Sequence, residues 1–275
     1  MKITMILPPR ASRILPLDAL YVASILKKHH HEVIVKDLNH RRFKNLDPSN
    51  LHGDTNFFWV WKFDNYDHCK DILEMLPDNA HNGISGIYDM NNVQDYMEDG
   101  WEYVIIGEPE LACAGIVMSV FHPGPIHCQA PSSLDELPHP SINSISITRY
   151  YPIISDSKSI PIMAARGQLN NPEYIKFKRP RVRSAKSIIN EMYKINEVYG
   201  FKRFHLINEM VAKESQSFIS TLKQISSTPF KVSINAFSEH LKPKNVMDAM
   251  EDTCFHVKII DKDIEVGAEL MNRGI

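Results

Sequence analysis

Residues Ile160–Pro180 read IPIMAARGQLNNPEYIKFKRP, and the division of the chain follows from them. Ile160, Ile162, Met163, Ala164 and Ala165 make an apolar run of strand length, followed by an Arg166-Gly167 turn, a polar loop and a basic connector. Upstream of this stretch the pattern is that of one α/β domain, and downstream it is a series of βα repeats. The loop Gln168–Asn171 therefore falls at the carboxyl end of a first barrel-type strand, where α/β architectures place their chemistry. It contains no residue that coordinates iron.

The 275 residues carry a net charge of -2, which bounds a globular chain of one large or two medium domains and gives no global basic signature for nucleic acid. No apolar run is long enough to span a bilayer, and the opening MKITMILPPR lacks the core of a signal peptide, so no membrane association and a cytoplasmic location are expected. Cys69, Cys113, Cys128 and Cys254 are scattered without CxxC-type spacing, which argues against a disulfide framework or a locally encoded metal site. Consecutive helix residues point in different directions, so His29, His30 and His31 cannot converge on one ion. His122, His127 and Cys128 lack a fourth ligand, and the Pro-Gly-Pro run among them reads as linker punctuation.

Working back to the start, Lys2–Leu7 is an apolar strand ended by Pro8-Pro9. Ala19, Val22, Ala23 and Leu26 then recur at helical spacing, and EVIVKD at 32–37 makes a second strand, together a βαβ unit. Further strands are expected at Asn56–Phe63, Ile84–Tyr88 and Tyr103–Ile106, with helices at Tyr66–Leu76 and Val93–Met97. Five strands alternating with helices predict a doubly wound sheet with any ligand at the strand carboxyl ends.

ILPPR at 6–10, LPLDALYVASIL at 15–26, HEVIVKDLN at 31–39 and WEYVIIGEPE at 101–110 occur in that order. Together they resemble the cobalamin-binding domain found at the N-terminus of many radical SAM proteins. That resemblance implies cobalamin as cofactor, with Pro8, Pro9 and Arg10 in the first loop, Ser85 and Gly86 after the fourth strand, and Gly107, Glu108 and Glu110 after the fifth as its contacts. From the residues alone, Pro8-Pro9 also reads as a plain strand-ending loop, and Glu108 and Glu110 as a solvated turn. The family's Gly-Gly-x-His stretch is represented only by Asn82–Gly86, and no DxHxxG motif supplies a histidine to cobalt, since Asp67-His68 does not fit its spacing.

LDELPHPSIN at 134–143 and RYYPI at 149–153 resemble the family's connector between domains. Beyond it, strands are expected at Ile160–Ala165, Arg203–Ile207, Lys231–Ala236 and Phe255–Ile260. Helices are expected at Ser184–Tyr199, Glu214–Ile225 and Lys244–Met250, with Ser184 capping the first and Gly200 ending it. In the resembling enzymes the first of these strands leads into CxxxCxxC, whose three thiolates hold a four-iron cluster and leave one iron for S-adenosylmethionine. Here AARGQLNNPEYI keeps the Arg-Gly turn but has residues such as Gln168, Pro172 and Ile175 at the cysteine positions, so the cluster is expected to be absent. Glu209 and Asn235 match strand-end positions of the family's S-adenosylmethionine site. Asp261-Lys262-Asp263 replaces its Glu-Ser-Gly, which weakens the implication for that cofactor.

The expected fold is α/β: a Rossmann-like cobalamin-binding-type domain at 1–123, a linker at 124–159, and a partial radical SAM-like βα barrel at 160–275. The expected function is a non-catalytic binding or regulatory homologue, a pseudoenzyme still binding cobalamin. One alternative is a cluster-independent methyltransferase-like enzyme using cobalamin or S-adenosylmethionine, and another is an assembly partner of an active radical SAM enzyme. A half barrel leaves an open edge, so a homodimer or a complex with another protein through that edge is expected. The basic connector of Lys176, Lys178, Arg179, Arg181, Arg183 and Lys186 reads as a solvated face, and no nucleic acid is expected.

Overall fold

The computed structural model describes residues 1–9, 14–39, 47, 50–51, 53–60, 65–87, 93–147, 150, 153–154, 157–167, 181–207 and 215–275. They form two compact units, Met1–Ser132 with Leu137–Tyr150, and Ser133–Glu136 with Tyr151–Ile275.

In the first unit the chain runs β1 (Lys2–Leu7), α1 (Leu17–Lys28), β2 (Glu32–Asp37), β3 (Thr55–Trp59), α2 (Tyr66–Leu73), β4 (His81–Ile87), α3 (Val93–Glu98), β5 (Tyr103–Ile106), α4 (Glu110–Val117) and β6 (Gly124–His127). The sheet order is β2-β1-β3-β4-β5-β6, with every neighbouring pair parallel. Parallel neighbours need crossovers, which put helices on both faces and bury the strands from two sides. The aromatic run TNFFW of β3 shows this, being buried at each position. Ile3, Met5, Leu7, Phe57 and Trp59 pack with α1 and α4, while Ile6, Phe58, Ile84 and Val104 pack with α2 and α3.

Several boundaries differ from the sequence expectation. β3 ends at Trp59, with residues 61–64 outside the described set; α2 stops at Leu73; β4 starts three residues early, at His81. Helix α4 was not expected, because ELACAGIV is apolar all round and has no helical stripe; all but Leu111 of its residues are buried. Strand β6 was hidden by Gly124-Pro125, which reads as linker. A proline, which has no N–H to donate, fits there because the outer side of β6 has no ladder partner among the described residues.

The expected linker at 124–159 is thus largely part of the first unit. After β6 the chain returns to the opposite end of the sheet, where Ser24 Oγ donates to the His139 carbonyl at 2.7 Å. Lys27 Nζ donates to Ser141 Oγ at 2.8 Å and Ser144 Oγ at 2.7 Å, and the Tyr150 hydroxyl donates to Asp37 Oδ1 at 2.7 Å. Ile145 packs on the α1–α4 core.

The second unit opens with a small antiparallel pair, β7 (Ile153–Ile154) and β8 (Ser157–Lys158). There follow β9 (Ile160–Met163), β10 (Ala165–Arg166), β11 (Arg181–Val182), α5 (Ala185–Tyr199), β12 (Arg203–Ile207), α6 (Ser215–Ser226), β13 (Lys231–Ala236), α7 (Ser238–Leu241), α8 (Lys244–Glu251), β14 (Cys254–Ile259) and α9 (Ile264–Asn272). The main sheet is parallel in the order β14-β13-β12-β9, consecutive βα repeats that do not close among the described residues. The strand expected through Ala165 ends at Met163, and β10 instead pairs antiparallel with β11, on either side of residues 168–180. The loop Gln168–Ile175 and the basic residues Lys176, Lys178 and Arg179 lie outside the described residues.

Helix α5 begins as its sequence predicts, with the Ser184 hydroxyl accepting from the Ser187 amide at 3.2 Å. Arg183, expected on a solvated face, is instead buried. Its Nη1 lies 2.6 Å from Glu191 Oε2 and donates to the Met163 carbonyl at 3.0 Å, and its Nη2 donates to Ser187 Oγ at 2.8 Å. One guanidinium thus ties the end of β9 to the first turns of α5. Removing one partner leaves the other's charge buried and uncompensated, so Glu191→Ala is expected to lower unfolding stability by about 3–5 kcal/mol. The double variant Arg183→Met/Glu191→Leu is expected to lose less than that; urea unfolding of the three proteins measures both.

Candidate functional site

Because the six strands of the first unit are all parallel, their carboxyl ends share one edge. In such sheets ligands bind at that edge, where the strand order reverses, here between β1 and β3. The edge gathers Pro8 and Pro9 after β1, Ser85 and Gly86 in β4, and Gly107, Glu108 and Glu110 after β5. Arg10 lies outside the described residues.

The two glycines have different reasons to be glycine. Gly86 has φ +88°, and a Cβ there would sit 2.0 Å from the Val60 carbonyl oxygen, so the neighbouring chain segment enforces it. The ladder between β4 and β5 shifts register across Ser85 and Gly86. Gly107 has φ +96°, but a Cβ there would meet only the Cys128 Cβ at 3.6 Å; backbone conformation alone demands glycine. Ser85 is fully buried, its carbonyl accepts from the Val60 amide at 2.8 Å, and its hydroxyl has no hydrogen-bond partner among the described residues.

Glu108 and Glu110 do not form a solvated turn: both are buried, Glu110 in the first turn of α4, where the helix dipole favours a carboxylate. Their charges are felt by the adjacent thiols. Burial pushes the Cys128 thiol up to about 12, with Glu110 and Glu108 adding to the effect, and burial with Cys128 and Glu110 raises Cys113 well above the usual thiol range. Burial also raises Cys69, and it takes Cys254 to about 12. None of the four is a ready thiolate, and no group of three or more metal-ligating side chains occurs among the described residues.

In the second unit Asn235 lies near the carboxyl end of β13, in register with Lys258, whereas Glu209 is outside the described residues. The two acids that replace Glu-Ser-Gly are engaged in capping. Asp261 accepts from the Ser238 amide at 3.0 Å and from its hydroxyl at 2.6 Å, and these bonds hold its carboxyl below the usual range. Asp263 caps α9, accepting from Glu265 N at 3.1 Å and Val266 N at 3.2 Å; those backbone bonds and Lys242 lower it as well.

Sequence reasoning passed over a row of polar side chains on this sheet. His205, Ser233 and His256 occupy adjacent positions on β12, β13 and β14, with His205 Nδ1 3.0 Å from Ser233 Oγ. The period-two alternation in RFHLI and KVSINA was the available signal.

No protein-family model matches the chain, and no curated protein matches it either. Among solved structures, the radical S-adenosylmethionine methyltransferase TsrM from Kitasatospora setae, solved with cobalamin and a 4Fe–4S cluster bound, aligns with a TM-score of 0.70. The identity is 13%, and the alignment covers 100% of this chain and 68% of that one. The two chains share a fold. It is α/β, a doubly wound, Rossmann-like unit followed by a run of βα repeats that does not close into a barrel among the described residues. No helix among the described residues is long and apolar enough to cross a membrane.

Burial, with His256 adding to it, lowers the His205 imidazole from 6.5 to about 4, so it is neutral in the folded protein at neutral pH. The unfolded chain binds that proton at higher pH than the folded chain does. Stability is therefore expected to fall as pH drops from 6.5 towards 4, by roughly 3 kcal/mol from this residue. Urea unfolding across that window should show a shallower pH dependence in His205→Gln.

Proposed function

We propose that this protein binds a corrinoid at the carboxyl edge of its six-stranded sheet and acts as a non-catalytic, regulatory homologue of radical SAM enzymes. The observation that carries this is the common carboxyl edge of the six parallel strands, with its order reversal between β1 and β3, in a fold whose solved neighbour holds cobalamin.

The residues present fit the group. Gly107, with backbone in the left-handed region and little packed over its Cα, lets the β5 loop pass close to a bulky ligand, and Pro8-Pro9 stiffens the loop after β1. Gly107 and the Pro8-Pro9 loop would hold it, with the buried Glu108 and Glu110 fixing the start of α4 beside them. A bound corrinoid supplies alkyl-transfer or ligand-sensing chemistry; the chain's own residues supply only the cradle.

The iron–sulfur cluster does not fit. A cluster of this type needs three thiolates, and the second unit contains one cysteine, Cys254, buried at the start of β14. With Asp261 and Asp263 committed to capping, the S-adenosylmethionine contacts that the resemblance implied are reduced to Glu209 and Asn235.

Two measurements test this. Hydroxocobalamin titration is expected to show saturable binding. Gly107→Val should weaken it about tenfold, because a side chain there would stand between the loop after β5 and the ligand, with circular dichroism checking that the variant folds. Absence of saturable binding in the wild type would sink the corrinoid reading. Anaerobic reconstitution with iron and sulfide is expected to leave no stoichiometric iron; a stable cluster would restore the catalytic alternative.

A further inference from the structure

At the carboxyl end of β9 the chain leaves the main sheet and builds a second, smaller pairing. The Ala164 amide still bonds to the Ile207 carbonyl at 3.2 Å, but the Ala164 carbonyl accepts from the Arg183 amide at 2.9 Å. From there Ala165 faces Val182, and Arg166 faces Arg181, across the antiparallel pair β10–β11. Directly opposed residues leave a ladder on the same face, with Cβ atoms about 5 Å apart. Two arginine side chains, both half-buried, are thus rooted side by side at the end of the first βα strand. In βα barrels that end of the strands is where ligands are held.

Taken alone, this pairing is unfavourable. Arginine stays protonated in proteins, and like charges directly opposite one another destabilise a ladder. The register is nevertheless held from outside the pair. Arg183, two residues beyond Arg181, is fixed by Glu191 Oε2 at 2.6 Å and by the Met163 carbonyl at 3.0 Å. That anchor sets β11 against β10, and with it Arg181 opposite Arg166. The Asp135 carboxylate is used at the start of α5, where its two oxygens accept from the Ser184 amide at 3.0 and 3.3 Å.

We propose that Arg166 and Arg181 hold a phosphoryl dianion, either the free ion or a monoester. A guanidinium presents a planar fork, and a single fork already satisfies both oxygens of a carboxylate. Two forks rooted side by side match an acceptor with more oxygens and about two negative charges, which a phosphoryl group provides. Bound between them, it turns the repulsion of the opposed side chains into attraction to a shared centre. None of the residues proposed to cradle a corrinoid takes part, so this site stands or falls separately from that reading.

Isothermal titration of the whole chain with inorganic phosphate, glycerol phosphate, dimethyl phosphate and acetate tests the assignment. Phosphate or glycerol phosphate is expected to bind saturably, about tenfold more tightly than the singly charged dimethyl phosphate and acetate, and to weaken as salt is added. Arg166→Gln and Arg181→Gln should each weaken that binding about tenfold, whereas Lys186→Gln, which removes an exposed cation on α5, should leave it unchanged. Phosphate should raise the unfolding temperature of the wild type and not that of the two glutamine variants. If a glutamine variant does not fold by circular dichroism, Arg166→Lys and Arg181→Lys take its place, since they keep the charge but lose the fork and should also weaken binding. The tighter of the two dianions tells whether the free ion or an ester is the occupant, and either order supports the site. Saturable binding of neither dianion, unchanged binding in the folded arginine variants, or equally tight binding of acetate or dimethyl phosphate overturns it.

Discussion

Parallel pairing is the constraint on which both halves of this molecule depend. Two parallel strands cannot be joined by a tight turn, so each must be followed by a crossover, and each crossover covers the sheet it leaves. Two consequences follow in the first unit. The strands are buried from both sides, which is why β3 can hold Phe57, Phe58 and Trp59 in succession. All six carboxyl ends also emerge together, which brings loops separated by about a hundred residues of sequence, after Leu7 and after Ile106, to a common edge.

The same constraint produces a different outcome in the second unit. Four parallel strands form an open sheet, and among the described residues nothing pairs with the outer edge of β14. Phe204, Leu206, Val232 and Ile234 lie on one face, while the other carries His205, Ser233 and His256 together with the apolar Pro161, Met163 and Ile207.

Much of this was legible in the residues. β1, β2, β5, β12 and β13 were bounded correctly because short apolar or alternating runs between turn residues admit little else. What escaped had physical reasons. Helix α4 lacks an amphipathic stripe because all but Leu111 of its residues are buried, and β6 contains a proline that an end strand tolerates. Arg183 looked like one more member of a basic run, and only the position of Glu191 two turns on, with the Met163 carbonyl beside it, shows why it is buried. Ser85 and Gly86 were singled out by resemblance, but the close approach of Val60 that fixes Gly86 depends on strand register, which no local pattern encodes.

The segment from Leu137 to Tyr150 lies against the opposite end of the sheet from β6, fastened to Ser24, Lys27 and Asp37. In time, this means that the first unit is not finished when its last strand is made. During synthesis β1, α1 and β2 leave the ribosome first, yet the contacts that cover them wait for Tyr150. The βαβ unit that founds the sheet is therefore also the last part of it to be sealed.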